Sequence, residues 1–349
     1  MKKMNVAVLF GGCSPEYGVS LESAHAVVTH LDRTRFNPIM IGISREGQWF
    51  LFKGDAEKLP QDTWCNPDDC RKAMISPDRG EGALWVFDSG RVHALLIDVA
   101  FPVLHGKNGE DGTVQGLIAL AGIPLAGCGV AASALCMDKH RAHLLAKAAG
   151  IRVPDAVVLE SPPALARFQS QILDMPFPLF VKPVKAGSSY GITRVEHPQA
   201  LAAAVSLAFE YDDQVIIEEG IPGFEVGCAV MGNAELVTGE VDEIELSQGF
   251  FDFTEKYTLK TSAIHVPARI DAGKAEAVKL AAMRIYRALG CQGFARVDMF
   301  LTPSGEIVFN EVNTIPGFTA HSRFPSMMKA AGLDFEAVLY RAIELAVKA

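Results

Sequence analysis

Apolar and polar positions along the chain fall into two rhythms. Short unbroken apolar runs, Val6 to Phe10, Pro38 to Ile43 and Ile97 to Leu104, read as buried strands of a parallel sheet. Between them lie helical patterns. One runs from about Ser20, a candidate N-cap, through Leu31, and another from Gly112 to Ala121 with Gly122 as C-cap. A long helix is predicted from about Ala132 to Ala149, stopped by Gly150. The middle of the chain alternates strand (Ala156 to Leu159), helix (Ala164 to Leu173), strand (Phe177 to Val184), strand (Thr193 to Val195) and helix (Gln199 to Phe209). From Gln214 strands dominate: Val215 to Glu219, Glu225 to Met231, Leu236 to Ile244 and Ile264 to Val266. An amphipathic helix, Lys274 to Leu289, then precedes a hairpin, and a last helix spans about Phe335 to Val347. The stretch Leu246 to Ser262 has no period and is too long for a simple connection, which marks it as a functional lid.

This order predicts an α/β chain in three units: 1–130, a Rossmann-like parallel unit; 131–213, a small α+β lid; and 214–349, a mainly antiparallel unit carrying the lid loop. The 349 residues suffice for several domains, and a net charge of -9 disfavours binding nucleic acid through bulk electrostatics. No apolar run reaches the roughly 18 residues of a membrane helix. The start, Met1-Lys2-Lys3-Met4, leads into a strand with no cleavage pattern after it, so a signal peptide is not expected. Seven scattered cysteines without a Cys-x-x-Cys pair disfavour zinc and disulfides and favour a reducing cytoplasm.

The hairpin carries the clearest chemistry. Asp298 stands on its first strand, and Asn310-Glu311-Val312-Asn313 on its second, after the turn Pro303-Ser304-Gly305. Alternation puts Glu311 and Asn313 on one face. Two carboxylates and an amide are hard oxygen ligands, suited to Mg²⁺ shared with phosphates. Acids on a hairpin are more often solvated or paired with basic residues, but here they interrupt apolar strands, where a buried carboxylate needs a partner or a cation. Arg296, two residues before Asp298, could stabilise developing negative charge. Phe180 to Gly191 is a strand followed by a small-residue loop, with Lys182 at the strand end and Gly187-Ser188-Ser189 able to approach an anion. In isolation this is equally an ordinary turn. Glu218, Glu219 and Glu225 stand at strand ends, where a carboxylate could meet a ribose diol or an adenine amino group. His105 to Gly112 joins a buried strand to a helix, a place that binds anions. Neither a P-loop nor a complete Gly-x-Gly-x-x-Gly is present, which argues against a P-loop NTPase and an NAD-dependent dehydrogenase.

These motifs, in this order and over essentially the whole chain, resemble the D-alanine–D-alanine ligase family of the ATP-grasp superfamily. The carriers are Leu9-Phe10-Gly11-Gly12 with Ser14 and Glu16, Val19 to Ser23, Leu104 to Gly112, Gly187-Ser188-Ser189, and Asn310 to Thr314 with Pro316-Gly317. Phe253 to Lys260 and His321-Ser322-Arg323-Phe324-Pro325 resemble the vancomycin-resistance D-alanine–D-serine ligases of the G type. The resemblance implies an ATP-grasp fold with a Rossmann-like N-terminal domain, and ATP-dependent joining of D-alanine to D-serine. The alternatives are a housekeeping D-alanine–D-alanine ligase, another carboxylate–amine ligase, or a non-catalytic nucleotide sensor on this fold.

It further implies that Glu16 holds the ammonium of the first D-alanine, in a trio with Ser188 and Tyr257 that closes the lid. Lys139, Lys182, Ser189, Lys256 and Asn310 would surround ATP, with Glu218, Glu219 and Glu225 at adenine and ribose. Asp298, Glu311 and Asn313 would hold two Mg²⁺ ions, a role Mn²⁺ could also fill. Arg296 and the Gly317 N–H would face the oxyanion. His105 would lie near the first substrate, with Ser322 and Arg323 toward the second. A cytoplasmic homodimer is implied, without membrane or nucleic-acid partners.

Overall fold

The computed structural model describes residues 3–187, 190–246, 262–319 and 321–348. The strands form three sheets. The first contains β1 (Met4–Gly11), β2 (Phe36–Ile43), β3 (Trp49–Phe52), β4 (Cys70–Ile75), β5 (Ala83–Asp88), β6 (Arg91–Leu96) and β7 (Val99–Pro102), in the order β6-β5-β4-β3-β2-β1-β7. β1 pairs in parallel with β2 and β7, as the apolar runs predict. The remaining four strands extend the sheet as an antiparallel meander that the sequence reading left unassigned. Their signal is weak because β6 is largely exposed and its residues carry no clean alternation. One cue was there: Ser89 (φ 48°) and Gly90 (φ 79°) both turn left-handed, the geometry of a two-residue hairpin loop.

Four helices accompany this part of the chain: α1 (Tyr17–His30), α2 (Thr113–Leu120), α3 (Val130–Met137) and α4 (Lys139–Ala148). Two expectations change here. Ser20 is not the N-cap of α1, which begins three residues earlier. Its buried hydroxyl instead accepts the Gly11 N–H at 2.8 Å and donates to the Val103 carbonyl, tying α1 to the ends of two strands. The single long helix expected to Ala149 is two helices. Asp138 breaks it with an extended backbone and caps α4, its carboxylate accepting the Arg141 N–H at 2.9 Å.

The second sheet has the order β10-β9-β11-β8 and is antiparallel, built from β8 (Ala156–Leu159), β9 (Leu179–Pro183), β10 (Thr193–Val195) and β11 (Val215–Glu219). Two short helices, α5 (Ala164–Arg167) and α6 (Gln169–Leu173), stand where one was expected, and α7 (Leu201–Ala208) packs on the sheet. Because β11 pairs with β9 and β8, this sheet runs on past residue 213.

The third sheet is antiparallel, in the order β15-β14-β12-β16-β17 with β13 beside β12. Its strands are β12 (Phe224–Gly232), β13 (Leu236–Thr238), β14 (Asp242–Leu246), β15 (Ser262–His265), β16 (Phe294–Leu301) and β17 (Ile307–Asn313). Helix α8 (Ala272–Ala288) covers one face, its Asp271 cap accepting the Lys274 N–H at 2.9 Å. Helices α9 (Arg323–Ala330) and α10 (Phe335–Val347) pack toward the first sheet. There Phe101, Phe294, Phe318 and Phe324 form one buried aromatic cluster, with neighbouring ring centroids 5.0 to 6.0 Å apart. Such rings dominate core energetics and fix the first sheet against the third. No helix among the described residues is long and apolar enough to cross a membrane.

Candidate active site

The β16–β17 register sets Asp298 opposite Glu311 and Arg296 opposite Asn313, with an irregularity directly after Asp298. A bulge at such a point re-aims side chains. Asp298 is 1% exposed and accepts hydrogen bonds from Arg296 Nε at 2.9 Å, Arg296 Nη2 at 2.7 Å and Asn313 Nδ2 at 2.9 Å. Arg323, at the start of α9, closes the other side. It grips Asp242 bidentately at 2.7 and 2.8 Å, reaches Glu225 at 2.9 Å and lies 3.3 Å from Asp298. Burial opposes its charge, but Asp242 and Asp298 outweigh burial and hold the guanidinium protonated.

The donor set shows what this cluster suits. Glu225, Asp242, Asp298 and Glu311 bring four carboxyl groups beside the two guanidinium groups of Arg296 and Arg323 among the described side chains. Carboxylate and amide oxygens are hard donors of the kind Mg²⁺ takes. Asp298, Glu311 and Asn313 are therefore together and chemically suited to Mg²⁺.

Arg296, Glu311, Asn313 and Arg323 of this cluster form one wall of a cleft of about 710 Å³. Glu16, His105, Glu110, Lys139, Gly187, Gly317 and Ser322 line it as well. Glu16 packs on bare backbone: a Cβ at Gly106 would lie 2.5 Å from its Oε2, and one at Gly187 3.1 Å. Gly106 also has φ 73°, so glycine is needed there twice over. His105 is 5% exposed and its Nδ1 donates to the Ile315 carbonyl at 2.9 Å. That leaves Nε2 as the acceptor nitrogen, buried and without a partner among the described residues. Burial lowers the His105 pKa and keeps the ring neutral. Ser322 Oγ meets Thr319 Oγ1 at 2.8 Å and accepts its N–H at 3.1 Å.

The lysines lie on the side of the second sheet. Lys139 donates to the Ala186 carbonyl at 2.7 Å, and Lys182 pairs with the buried Glu218 at 2.6 Å. Glu219 accepts hydrogen bonds from Arg152 and the Asp155 N–H, both at 3.1 Å. The Asn310 carbonyl accepts from His143 Nε2 at 2.8 Å. Glu225, expected at adenine or ribose, pairs with Arg323 at 2.9 Å. Arg323, expected to face a substrate carboxylate, is engaged by protein carboxylates through Nε, Nη1 and Nη2. Ser188, Ser189, Lys256, Tyr257 and the rest of the expected lid loop, residues 247–261, lie outside the described residues.

Sequence reasoning missed Asp242 and Glu110. Asp242 gave no signal, since it opens a strand like many surface acids, yet it is 0% exposed. Glu110 sat inside the 104–112 motif, and its role appears only with the fold.

Two family models match the chain, "D-ala D-ala ligase N-terminus" over residues 5–128 and "D-ala D-ala ligase C-terminus" over 145–344. The chain belongs to the D-alanine–D-alanine ligase family. Its fold is accordingly the ATP-grasp fold. The vancomycin B-type resistance protein VanB of Enterococcus faecalis is 44% identical, with 100% of both chains covered. A D-alanine–D-alanine ligase of Caldicellulosiruptor bescii is 40% identical, covering 100% of this chain and 96% of its own. Among solved structures, the VanG D-Ala:D-Ser ligase of Enterococcus faecalis is 53% identical with a TM-score of 0.92, covering 99% of this chain and 100% of its own. As a member of this family the chain is a ligase, in a family that uses ATP with Mg²⁺ and joins D-alanine to a second D-amino acid or hydroxy acid.

Proposed function

We propose that this ligase joins D-alanine to D-serine through an acyl phosphate, supplying a dipeptide for cell-wall precursors of the vancomycin-resistance type. The observation that most supports the chemistry is the carboxylate-rich set on β12, β14, β16 and β17, whose Glu311 lines the cleft beside Arg296, Asn313 and Arg323. A carboxylate is a poor acyl donor because its leaving group would be oxide. Transfer of the ATP γ-phosphoryl group gives it a stable leaving group. Mg²⁺, taken as two ions on Asp298, Glu311 and Asn313, would neutralise phosphate oxygens. Lys139, Lys182, Ser189, Lys256 and Asn310 are assigned to ATP, with Glu218, Glu219 and Glu225 nearest the nucleoside. Glu16, with Ser188 and Tyr257, is assigned to the first D-alanine. The amine of the second substrate then attacks the acyl carbon, and Arg296 and the Gly317 N–H meet the oxyanion. An acyl phosphate hydrolyses in water, which gives the 246–262 loop a reason to close.

The D-serine assignment rests on the 53% identity to a D-Ala:D-Ser ligase and on Arg323. A guanidinium has five N–H donors. Three hydrogen bonds, one each from Nε, Nη1 and Nη2, leave a second N–H on each Nη, and Arg323 lines the cleft. Ser322 stands beside it. We divide the chain into a substrate unit (1–130), a lid (131–213, extended by β11) and a catalytic unit, as the three sheets suggest. We assign the protein to a reducing cytoplasm, a reading that scattered cysteines without a Cys-x-x-Cys pair support.

The test is product analysis by mass after incubation with ATP, Mg²⁺ and equal D-alanine and D-serine. Predominant D-alanyl-D-serine is expected. Predominant D-alanyl-D-alanine would keep the mechanism and overturn the D-serine assignment, a reading the 40% identity to a D-alanine–D-alanine ligase supports.

A further inference from the structure

The turn after β17, Thr314 to Gly317, is held from outside its own sheet. Both polar groups of Ile315 are bound by side chains of the loop that follows β7. The Ile315 carbonyl accepts from His105 Nδ1 at 2.9 Å, and the Ile315 N–H donates to Glu110 Oε1 at 2.9 Å. These partners lie 210 and 205 residues earlier in the chain. The second Glu110 oxygen accepts the Gly106 N–H at 3.0 Å, so one carboxyl group binds its own loop to the distant turn. Ile315 is 4% exposed and His105 5%, which leaves little access for water to substitute. Glu110 lines the cleft, yet both its oxygens are engaged by backbone.

We propose that Glu110 is a positioning residue for the second chemical step: with His105 it clamps the two peptide groups flanking the Ile315 Cα and thereby places the Gly317 N–H against the oxyanion. This rests on the ligase reading above. Acyl-phosphate formation takes place at the β16–β17 carboxylates and does not need the turn. Capture by the amine does need it, because the tetrahedral adduct develops its charge there, and small misplacements of an oxyanion donor are costly. A loosened turn therefore slows capture and leaves formation intact. Water then takes the intermediate. Its oxygen bonds to phosphorus, the bond from phosphorus to the acyl oxygen breaks with no need of the turn, the proton passes to solvent, and D-alanine is regenerated with phosphate released.

The experiment compares phosphate released with dipeptide formed, in wild type, Glu110→Gln and Glu110→Asp, with ATP, Mg²⁺, D-alanine and D-serine. This ratio is independent of how much protein is folded, so a merely structural role would not move it. Glutamine replaces one accepting oxygen with an amide nitrogen that cannot accept a backbone N–H, whether or not the native carboxyl carries a proton, and aspartate is one methylene too short to span both. Glu110→Gln is expected to raise the ratio from near one to about three or more, with the KM for ATP changed by less than about twofold. Glu110→Asp is expected to fall between, and it carries the test if the glutamine variant does not fold. A ratio that stays near one in the variants, whatever their kcat, overturns the proposal. A wild type that makes no dipeptide would instead overturn the ligase reading beneath it.

Discussion

The hairpins β16–β17 and β5–β6 have the same outline and opposite content. Both join two strands through a short turn, and both carry charged residues. In β16–β17, Arg296, Asp298, Glu311 and Asn313 share a wall with Arg323, and Asp298 is 1% exposed. In β5–β6, Val92 is 58% and Leu96 56% exposed, and Asp88 makes a half-exposed ion pair with Arg71 at 3.2 Å. The difference is solvent. On an open strand, water satisfies a charge and residue identity is loosely constrained. Among buried apolar neighbours, each charge needs a partner, and an unbalanced set needs a ligand.

The largest expected effect comes from changing that balance. Glu311→Gln removes one of the four carboxylates and should lower kcat by about a hundredfold or more at saturating Mg²⁺. A variant keeping over half its turnover would remove Glu311 from the metal site. Next is Arg323→Met, which leaves Asp242 0% exposed and without its bidentate partner. Urea unfolding should show a loss of about 3 to 5 kcal/mol. A loss under about 1 kcal/mol would mean that the guanidinium is not what balances the cluster.

A pH effect of intermediate size comes from Glu110, whose pKa burial, then the charge of Glu16, push from 4.5 up to about 8. The native state holds this proton until pH approaches 8, while the unfolded chain releases it near 4.5. Rising pH thus favours the unfolded chain across that window, at up to about 1.4 kcal/mol per pH unit for this one group. Glu110→Gln should flatten the slope of unfolding free energy between pH 5 and 8. An unchanged slope would show that Glu110 is already ionised in the fold. The smallest effect belongs to β6: Val92→Lys should change stability by less than about 0.5 kcal/mol and leave kcat alone. A large loss there would mean this face is covered.

The same contrast explains what was legible. Apolar runs located β1, β2 and β7, and acids interrupting apolar strands located Asp298, Glu311 and Asn313, because burial imposes a pattern on sequence. The meander β3 to β6 escaped because its edge faces solvent and its alternation is blurred. Asp138 was hidden inside a helical pattern, since a capping acid and a surface acid look alike until the backbone turns extended. Asp242 and Glu110 escaped because their partners, Arg323 and Ile315, lie 81 and 205 residues away. No local pattern records such a pairing, and the reach of Arg323 toward carboxylates of its own chain was invisible for the same reason.

The most direct test of the account follows oxygen. Wild-type protein is incubated with ATP, Mg²⁺, D-serine and D-alanine carrying ¹⁸O in both carboxylate positions, and the released phosphate is weighed. If the charged hairpin serves to activate a carboxylate by phosphoryl transfer, each phosphate carries one ¹⁸O and dipeptide accumulates in step with it. Dipeptide formed alongside unlabelled phosphate would contradict the acyl-phosphate route that the site is proposed to serve.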